Sequence, residues 1–83
     1  MLFLPEPAYT DEARRMRVTG EIVAEVQLAA SGQPHFVRIV TGLGYGLDEA
    51  AEEAVNRIRY QPARRAGFPI DTIARITFRF KLS

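Results

Sequence analysis

Apolar positions along the chain change period twice, and the changes divide it into elements. Ile22, Ala24, Val26 and Leu28 alternate with Val23, Glu25 and Gln27. That period of two predicts a strand with one buried face, opened by Gly20. Ala30-Ser31-Gly32-Gln33 predicts a hairpin turn. A return strand follows over about 35–41, with Val37 and Ile39 toward the core and Arg38 outward. Leu47, Ala50, Ala51, Ala54, Val55 and Ile58 then recur at helical spacing, which predicts a helix over about 47–58. Asp48, Glu49, Glu52 and Glu53 fill its first half and Arg57 its end, a charge order that suits the helix dipole. Its several alanines imply close approach to a sheet. The last strand is predicted over about 72–82, with Ala74, Ile76, Phe78, Phe80 and Leu82 on one face. Arg75, Thr77, Arg79 and Lys81 occupy the other.

Before the first strand, Pro5 and Pro7 hold Leu4 and Glu6 out of helical conformation. Thr10 has the character of an N-cap, with Asp11 and Glu12 behind it and Arg14 and Arg15 at the far end. A short helix over about 10–16 is expected. Pro62 ends the second helical region, and Gly67-Phe68-Pro69 predicts a turn.

The order is α-β-β-α-β. A right-handed crossover from the hairpin through the second helix places strand three beside strand one. The expected fold is therefore an α+β two-layer sandwich. Its three-stranded antiparallel sheet has the order 2-1-3 and both helices on one face. The 83 residues form one domain, with 1–8 an extended lead-in and 9–83 the folded core.

A net charge of +1 gives no global preference for nucleic acid or anionic lipid. The charge is unevenly spread along the chain. Nine acidic and four basic residues precede Arg57, and from Arg57 onward there are seven basic residues with Asp71 the one acid among them. A bipolar molecule is the expectation. The absence of cysteine excludes a disulfide scaffold, a thiolate metal site and a cysteine nucleophile. No apolar run reaches the ~18 residues of a membrane span, and Met1-Leu2-Phe3-Leu4 is too short for a signal-peptide core. A membrane anchor, if the protein uses one, lies outside this chain.

Little in the sequence points to catalysis. His35 is the one histidine, and it has no acidic neighbour in sequence. Gly42-Leu43-Gly44-Tyr45-Gly46 lies between a strand and a helix, where phosphate loops occur. However, Asp48, Glu49 and Glu52 in the following turns would repel a phosphate, and no Lys or Ser/Thr stands ready to bind one. The carboxylates of that helix lack the second ligand set of a metal site and read as a solvated face. No catalytic, cofactor or metal residue is assigned, and the protein is expected not to be an enzyme.

Two binding readings remain. Arg75, Arg79 and Lys81 with Tyr60, Arg64 and Arg65 could form a basic surface for RNA or DNA. Phe78 and Phe80 have core parity, however, so a stacking platform is missing. The other reading is the outer edge of strand three. It offers a row of main-chain groups without proline from Thr72 onward, open to a partner's extended segment. A copy of the same chain could pair there too, giving a homodimer through edge strands.

Several short pieces occur together in a fixed order. These are Pro7-Ala8-Tyr9 with Ala13, Gly20-Glu21-Ile22, Ser31-Gly32, Leu47-Asp48-Glu49-Ala50-Ala51 and Ala54-Val55. Tyr60-Gln61-Pro62-Ala63, Gly67-Phe68-Pro69-Ile70 and Ile76-Thr77-Phe78-Arg79-Phe80 complete the set. In these the chain resembles the C-terminal domain of the TonB energy-transducer family, from about Pro7 to Leu82. It departs at Thr10, where the family often has Pro, at Ile58, where it often has Trp, and at Pro34.

The resemblance implies a periplasmic, non-enzymatic binding domain. Family members are tethered to the inner membrane by an N-terminal segment, which is not in this chain. They are driven by the proton-motive force through an inner-membrane motor complex. Their C-terminal domain binds the box segment of outer-membrane TonB-dependent transporters by β-strand addition and transmits the pull. Carried over, the partner-binding residues are Ile73, Arg75, Thr77, Arg79 and Lys81 on the last strand, with Glu6, Pro7 and Tyr9 near the partner. The alternatives are a TonB-like interaction domain of another envelope protein and a small nucleic-acid-binding module.

Overall fold

The computed structural model describes residues 2–82. In chain order the elements are β1 (Leu2–Phe3), α1 (Asp11–Arg15), β2 (Gly20–Leu28), β3 (Pro34–Thr41) and α2 (Leu47–Val55). Four more follow: β4 (Arg59–Tyr60), β5 (Ala63–Arg65), β6 (Phe68–Ile70) and β7 (Thr72–Phe80). The main sheet is antiparallel in the order β3-β2-β7, the 2-1-3 order expected of the three long strands.

One face of this sheet is covered. Ile22, Ala24 and Val26 of β2 are fully buried, as are Leu47, Ala51, Ala54 and Val55 of α2. Ile76, Phe78 and Phe80 of β7 and Ala13 of α1 join the same cluster. Both helices therefore cover one side. Alternation put the β2 and β7 side chains there, and alanine at positions 51 and 54 lets α2 come close.

Each helix end has a local cause. Thr10 caps α1, its Oγ1 accepting from Ala13 N–H at 3.1 Å. The same hydroxyl donates to the Tyr45 carbonyl at 2.6 Å, tying α1 to the loop before α2. Thr10 thus serves both segments at once. The α2 helix ends three residues earlier than its apolar stripe suggested. Asn56, Arg57 and Ile58 N–H groups bond back three residues, to Glu53, Ala54 and Val55 carbonyls. This tightened turn satisfies the last carbonyls and still buries Ile58.

The return strand departs from expectation. Opposite β2, Val26 pairs with Phe36, Glu25 with Arg38, Ala24 with Ile39 and Val23 with Thr41. Val37 and Val40 are therefore extra residues, each bulged out of the ladder. The bulge at Val37 flips parity, so Phe36 and Ile39 face the core rather than Val37 and Ile39. Val37 is left 46% exposed.

Four short strands lie outside the expected plan. Within the lead-in, β1 pairs with β4, Leu2 opposite Tyr60 and Phe3 opposite Arg59. The segment read as a Gly-Phe-Pro turn is a hairpin, with Ala63 opposite Ile70 and Arg65 opposite Phe68. The last strand ends at Phe80 rather than Leu82. Two side chains anchor this region to the β2–β3 turn. The Tyr60 hydroxyl donates to the Ala29 carbonyl at 2.9 Å, and Asp71 Oδ1 accepts from Ala30 N–H at 2.7 Å. Burial, reinforced by the nearby Asp71 carboxylate, raises the Tyr60 phenol above its usual 10.0.

Two outcomes follow from this packing. Phe36→Ala should cost ~2 kcal/mol in urea denaturation, less than the ~3–5 of a fully buried phenylalanine, and Val37→Thr should stay within ~0.5. Equal costs would return Val37 to the core. Tyr60→Phe should cost ~1 kcal/mol at neutral pH for the lost hydrogen bond. The folded phenol holds its proton more tightly than the unfolded one. Its contribution is therefore complete below the unfolded pKa of ~10 and lost as pH rises through the higher folded value. The stability gap between wild type and Tyr60→Phe should narrow as pH rises above about 10.

Candidate functional site

The site worth building is the outer edge of β7. Among the described residues, β7 has one sheet neighbour, β2, and pairs with it from Gly20–Phe80 to Leu28–Thr72 without a bulge. Its other side is a straight row of nine residues. The opposite edge, β3, begins at Pro34, which has no N–H to offer, and carries both bulges. The two edges are therefore unequal. One is interrupted and the other is a regular template for pairing.

The sequence-predicted residues fall in two groups. Ile73, Arg75, Thr77 and Arg79 lie in one row on the uncovered face of β7, all exposed, with Ile73 at 58%. At the end of the strand, Arg79 and Lys81 line a cleft of about 310 Å³ together with Glu6, Pro7, Tyr9 and Phe80. The extended lead-in and the end of the last strand thus meet, although more than seventy positions separate them in sequence.

Tyr9 builds the wall between the cleft and the core. Its ring meets Phe80 edge-on, centroids 5.5 Å apart, and the Arg14 guanidinium lies 6.0 Å over it. Its hydroxyl donates to the Val18 carbonyl. With its phenol satisfied, the ring is a fixed surface rather than a reacting group. Phe80, only 2% exposed, belongs both to the core and to the lining of the cleft.

The arginines do not form the basic strip that their spacing on β7 suggested. Antiparallel pairing brings the acidic first half of the chain beside the basic second half. Arg79 places Nε and Nη2 at 3.0 and 2.8 Å from Glu21 Oε2. Glu25 Oε1 lies 3.2 Å from Arg38 and 4.0 Å from Arg75. The uncovered face is a ladder of alternating sign across three strands, not a positive pole. Tyr60, counted for the basic surface, is half-buried with its hydroxyl on Ala29. Phe78 and Phe80 are buried, so no aromatic platform lies on this face.

The glycine loop before α2 also has an internal occupant. Asp48 Oδ1 accepts from Leu43 N–H at 2.9 Å and Gly44 N–H at 3.3 Å. A carboxylate of the chain itself fills the place an anion would take. Gly42 is required for this closure, because a Cβ there would stand 2.5 Å from Asp48 Oδ2. His35 is exposed on β3 opposite Gln27. Among the described residues, no three His, Cys, Asp or Glu side chains converge to hold a metal.

Sequence reasoning missed the bond between Glu21 and Arg79 and the part of Phe80 in the cleft. Parity put Arg79 on the open face, but only the β2–β7 register says which glutamate stands opposite.

Comparison with known proteins agrees with this architecture. A domain described as the Gram-negative bacterial TonB protein C-terminal matches residues 5–82. The protein tonB2 of Pseudomonas aeruginosa is 32% identical over 80 residues, covering 95% of this chain and 30% of that protein. The chain thus spans less than a third of the length of that curated relative. From the match across nearly every described residue, the chain belongs to the TonB C-terminal domain family.

Proposed function

We propose that this is the periplasmic domain of a TonB-type energy transducer. In this reading it binds the box segment of an outer-membrane TonB-dependent transporter by adding that segment as a strand to β7. The observation that carries the reading is the inequality of the edges. A nine-residue, unbulged, proline-free edge stands open on β7, and the edge on β3 is broken. Open regular edges invite aggregation, and small domains commonly blunt them. Here one edge is blunted and the other left intact.

The chemistry suits a reversible mechanical coupling. Each main-chain hydrogen bond contributes ~0.5–1.5 kcal/mol net, so a short added strand binds modestly. Main-chain pairing does not depend on side-chain identity, which lets one domain accept several boxes. Selectivity then falls to the row that flanks the added strand: Ile73, Arg75, Thr77 and Arg79. At the end of the strand, Glu6, Pro7, Tyr9 and Lys81 would receive the partner's continuing chain in the cleft. The proton-motive force would reach the domain through a motor complex bound by a region outside this chain, which also carries the inner-membrane tether. Pairing of two copies through the same edge would compete with the transporter.

The ion pairs weaken the nucleic-acid reading. Glu21 and Glu25 already meet Arg79, Arg75 and Arg38, and a phosphate backbone would have to displace or repel them.

Titration of the isotope-labelled domain with a box peptide should move backbone amides at 73–81 and at Glu6, Ala8 and Tyr9. A flat titration at ~1 mM peptide, which corresponds to binding weaker than ~4 kcal/mol, would reject strand addition at this edge. In a Thr77→Pro variant shown by its amide spectrum to keep the fold, affinity should drop at least ~10-fold. Unchanged affinity would place the peptide elsewhere.

A further inference from the structure

The hairpin of β5 and β6 is an arm. It pairs with itself, and no other element of the described residues packs extensively against it. All eight residues from Ala63 to Ile70 except Ile70 are exposed, and Phe68 reaches 73%, the highest value of any large apolar side chain described. Only Asp71 separates β6 from β7, so the chain is extended almost without interruption from Phe68 to Phe80. The molecule measures 50 × 21 × 15 Å. A thirteen-residue extended run is about 40 Å long at ~3.3 Å per residue, far more than either of the two shorter dimensions.

The tip is built for a tight reversal. Ala66 and Gly67 both have positive φ, at 53° and 83°, the geometry of a two-residue turn matched to strand twist. Arg65 and Phe68 stand opposite each other beside the turn, and Arg64 stands opposite Pro69. None of Arg59, Arg64 and Arg65 meets a carboxylate among the described residues. The one acid nearby, Asp71, is engaged with Ala30 N–H. This end of the molecule therefore keeps the positive charge that the sheet face neutralises.

We propose that the arm docks on an anionic phospholipid surface, with Phe68 in the headgroup boundary and Arg64 and Arg65 on lipid phosphates. Charge selects an anionic occupant. Shape selects among anionic occupants: the tip is a two-residue turn beside a strongly exposed aromatic ring, a protrusion that enters a partner more readily than it receives one. A lipid surface deforms around such a tip, whereas a folded partner would need a preformed acidic socket. An aromatic ring beside two arginines is the pairing that favours the membrane interface. The arm leaves β7 at its Thr72 end, and the cleft lies at its Phe80 end, so docking would leave the edge strand open. The proposal stands independently of box binding.

The chain has no tryptophan, so Phe68→Trp introduces a single indole at an exposed position. Vesicles of phosphatidylcholine containing about one third phosphatidylglycerol should shift its emission to the blue, and pure phosphatidylcholine should not. Arg64→Gln and Arg65→Gln should each weaken binding about fivefold and leave the amide spectrum of the core unchanged. Sedimentation of the unsubstituted protein with the same vesicles should show binding that ~0.5 M salt removes. Absence of both shift and co-sedimentation at ~5 mM lipid, where even binding of ~3 kcal/mol would register, would overturn the proposal. Equal binding to both vesicle types would overturn it too. So would an indole shift produced by an oligoglutamate peptide and not by vesicles, which would reassign the arm to an acidic polypeptide.

Discussion

The register between β2 and β7 is the constraint on which the other features depend. Nine consecutive residues of each strand pair without a bulge, from Gly20 opposite Phe80 to Leu28 opposite Thr72. Because the period is two, this single register sets both faces at once. It stacks Ile22, Ala24 and Val26 against Phe78, Ile76 and Ala74 on the covered side. It also sets Glu21 against Arg79 and Glu25 against Arg75 on the other. A slip of one residue would bury arginine under the helices. The ion pairs are exposed and contribute little stability. Their effect is on specificity, since the slipped registers lose charge partners as well as core contacts. The same ladder fixes Phe80 against Tyr9 and so brings the lead-in to the end of β7.

What could be read in the sequence divides along physical lines. β2, β7 and α2 were legible because each carries an unbroken apolar period. The sheet order followed from handedness. The β3 face was not legible. Phe36, Val37, Ile39 and Val40 are all apolar, so two parities fit the same string, and only the bulges choose between them. The arm was not legible either, because Arg64, Arg65, Ala66 and Pro69 contain no alternation. Its hairpin rests on a turn with two positive φ angles, one of them at an alanine that gives no sequence signal. The edge of β7 followed from topology alone. Residues Glu6 to Tyr9 were placed near it only through family resemblance. Charge misled in the opposite direction. Read along the chain, it separates into halves, whereas an antiparallel sheet folds one half onto the other.

Both edges of a three-stranded sheet need an account, and here they have different ones. On β3, Pro34 and the bulges at Val37 and Val40 remove donors and bend the strand. Glu25 reaches Arg38 on one side and Arg75 on the other, so the bulged strand is still held to the sheet by charge as well as by its remaining ladder. On β7 no such interruption exists, although nine exposed main-chain positions carry a standing risk of self-pairing. Arg75, Arg79 and Lys81 flank the edge with charged side chains, the kind of residue that keeps an exposed edge soluble. The same charges do not oppose a partner strand of neutral or acidic composition. In the proposed role the edge would need no side-chain pocket along its length to accept such a strand.

The proposed force transmission would add a further requirement, and the two ladders bear on it differently. If a partner strand is pulled while bound to β7, the load passes through two ladders in series. One joins the partner to β7 and the other joins β7 to β2. The first consists of main-chain bonds at an exposed edge, with no core side chains beneath the added strand. The second has nine residues in register, and its inner face buries Ile76, Phe78 and Phe80 against α2 and β2. Removing β7 from the domain would expose those three side chains, each worth ~1.5–3 kcal/mol of burial, in addition to breaking the ladder. Removing the partner costs only its own ladder. In the proposed role the intermolecular bond would therefore be the weaker element and would yield first, leaving the domain folded and its edge free for the next strand.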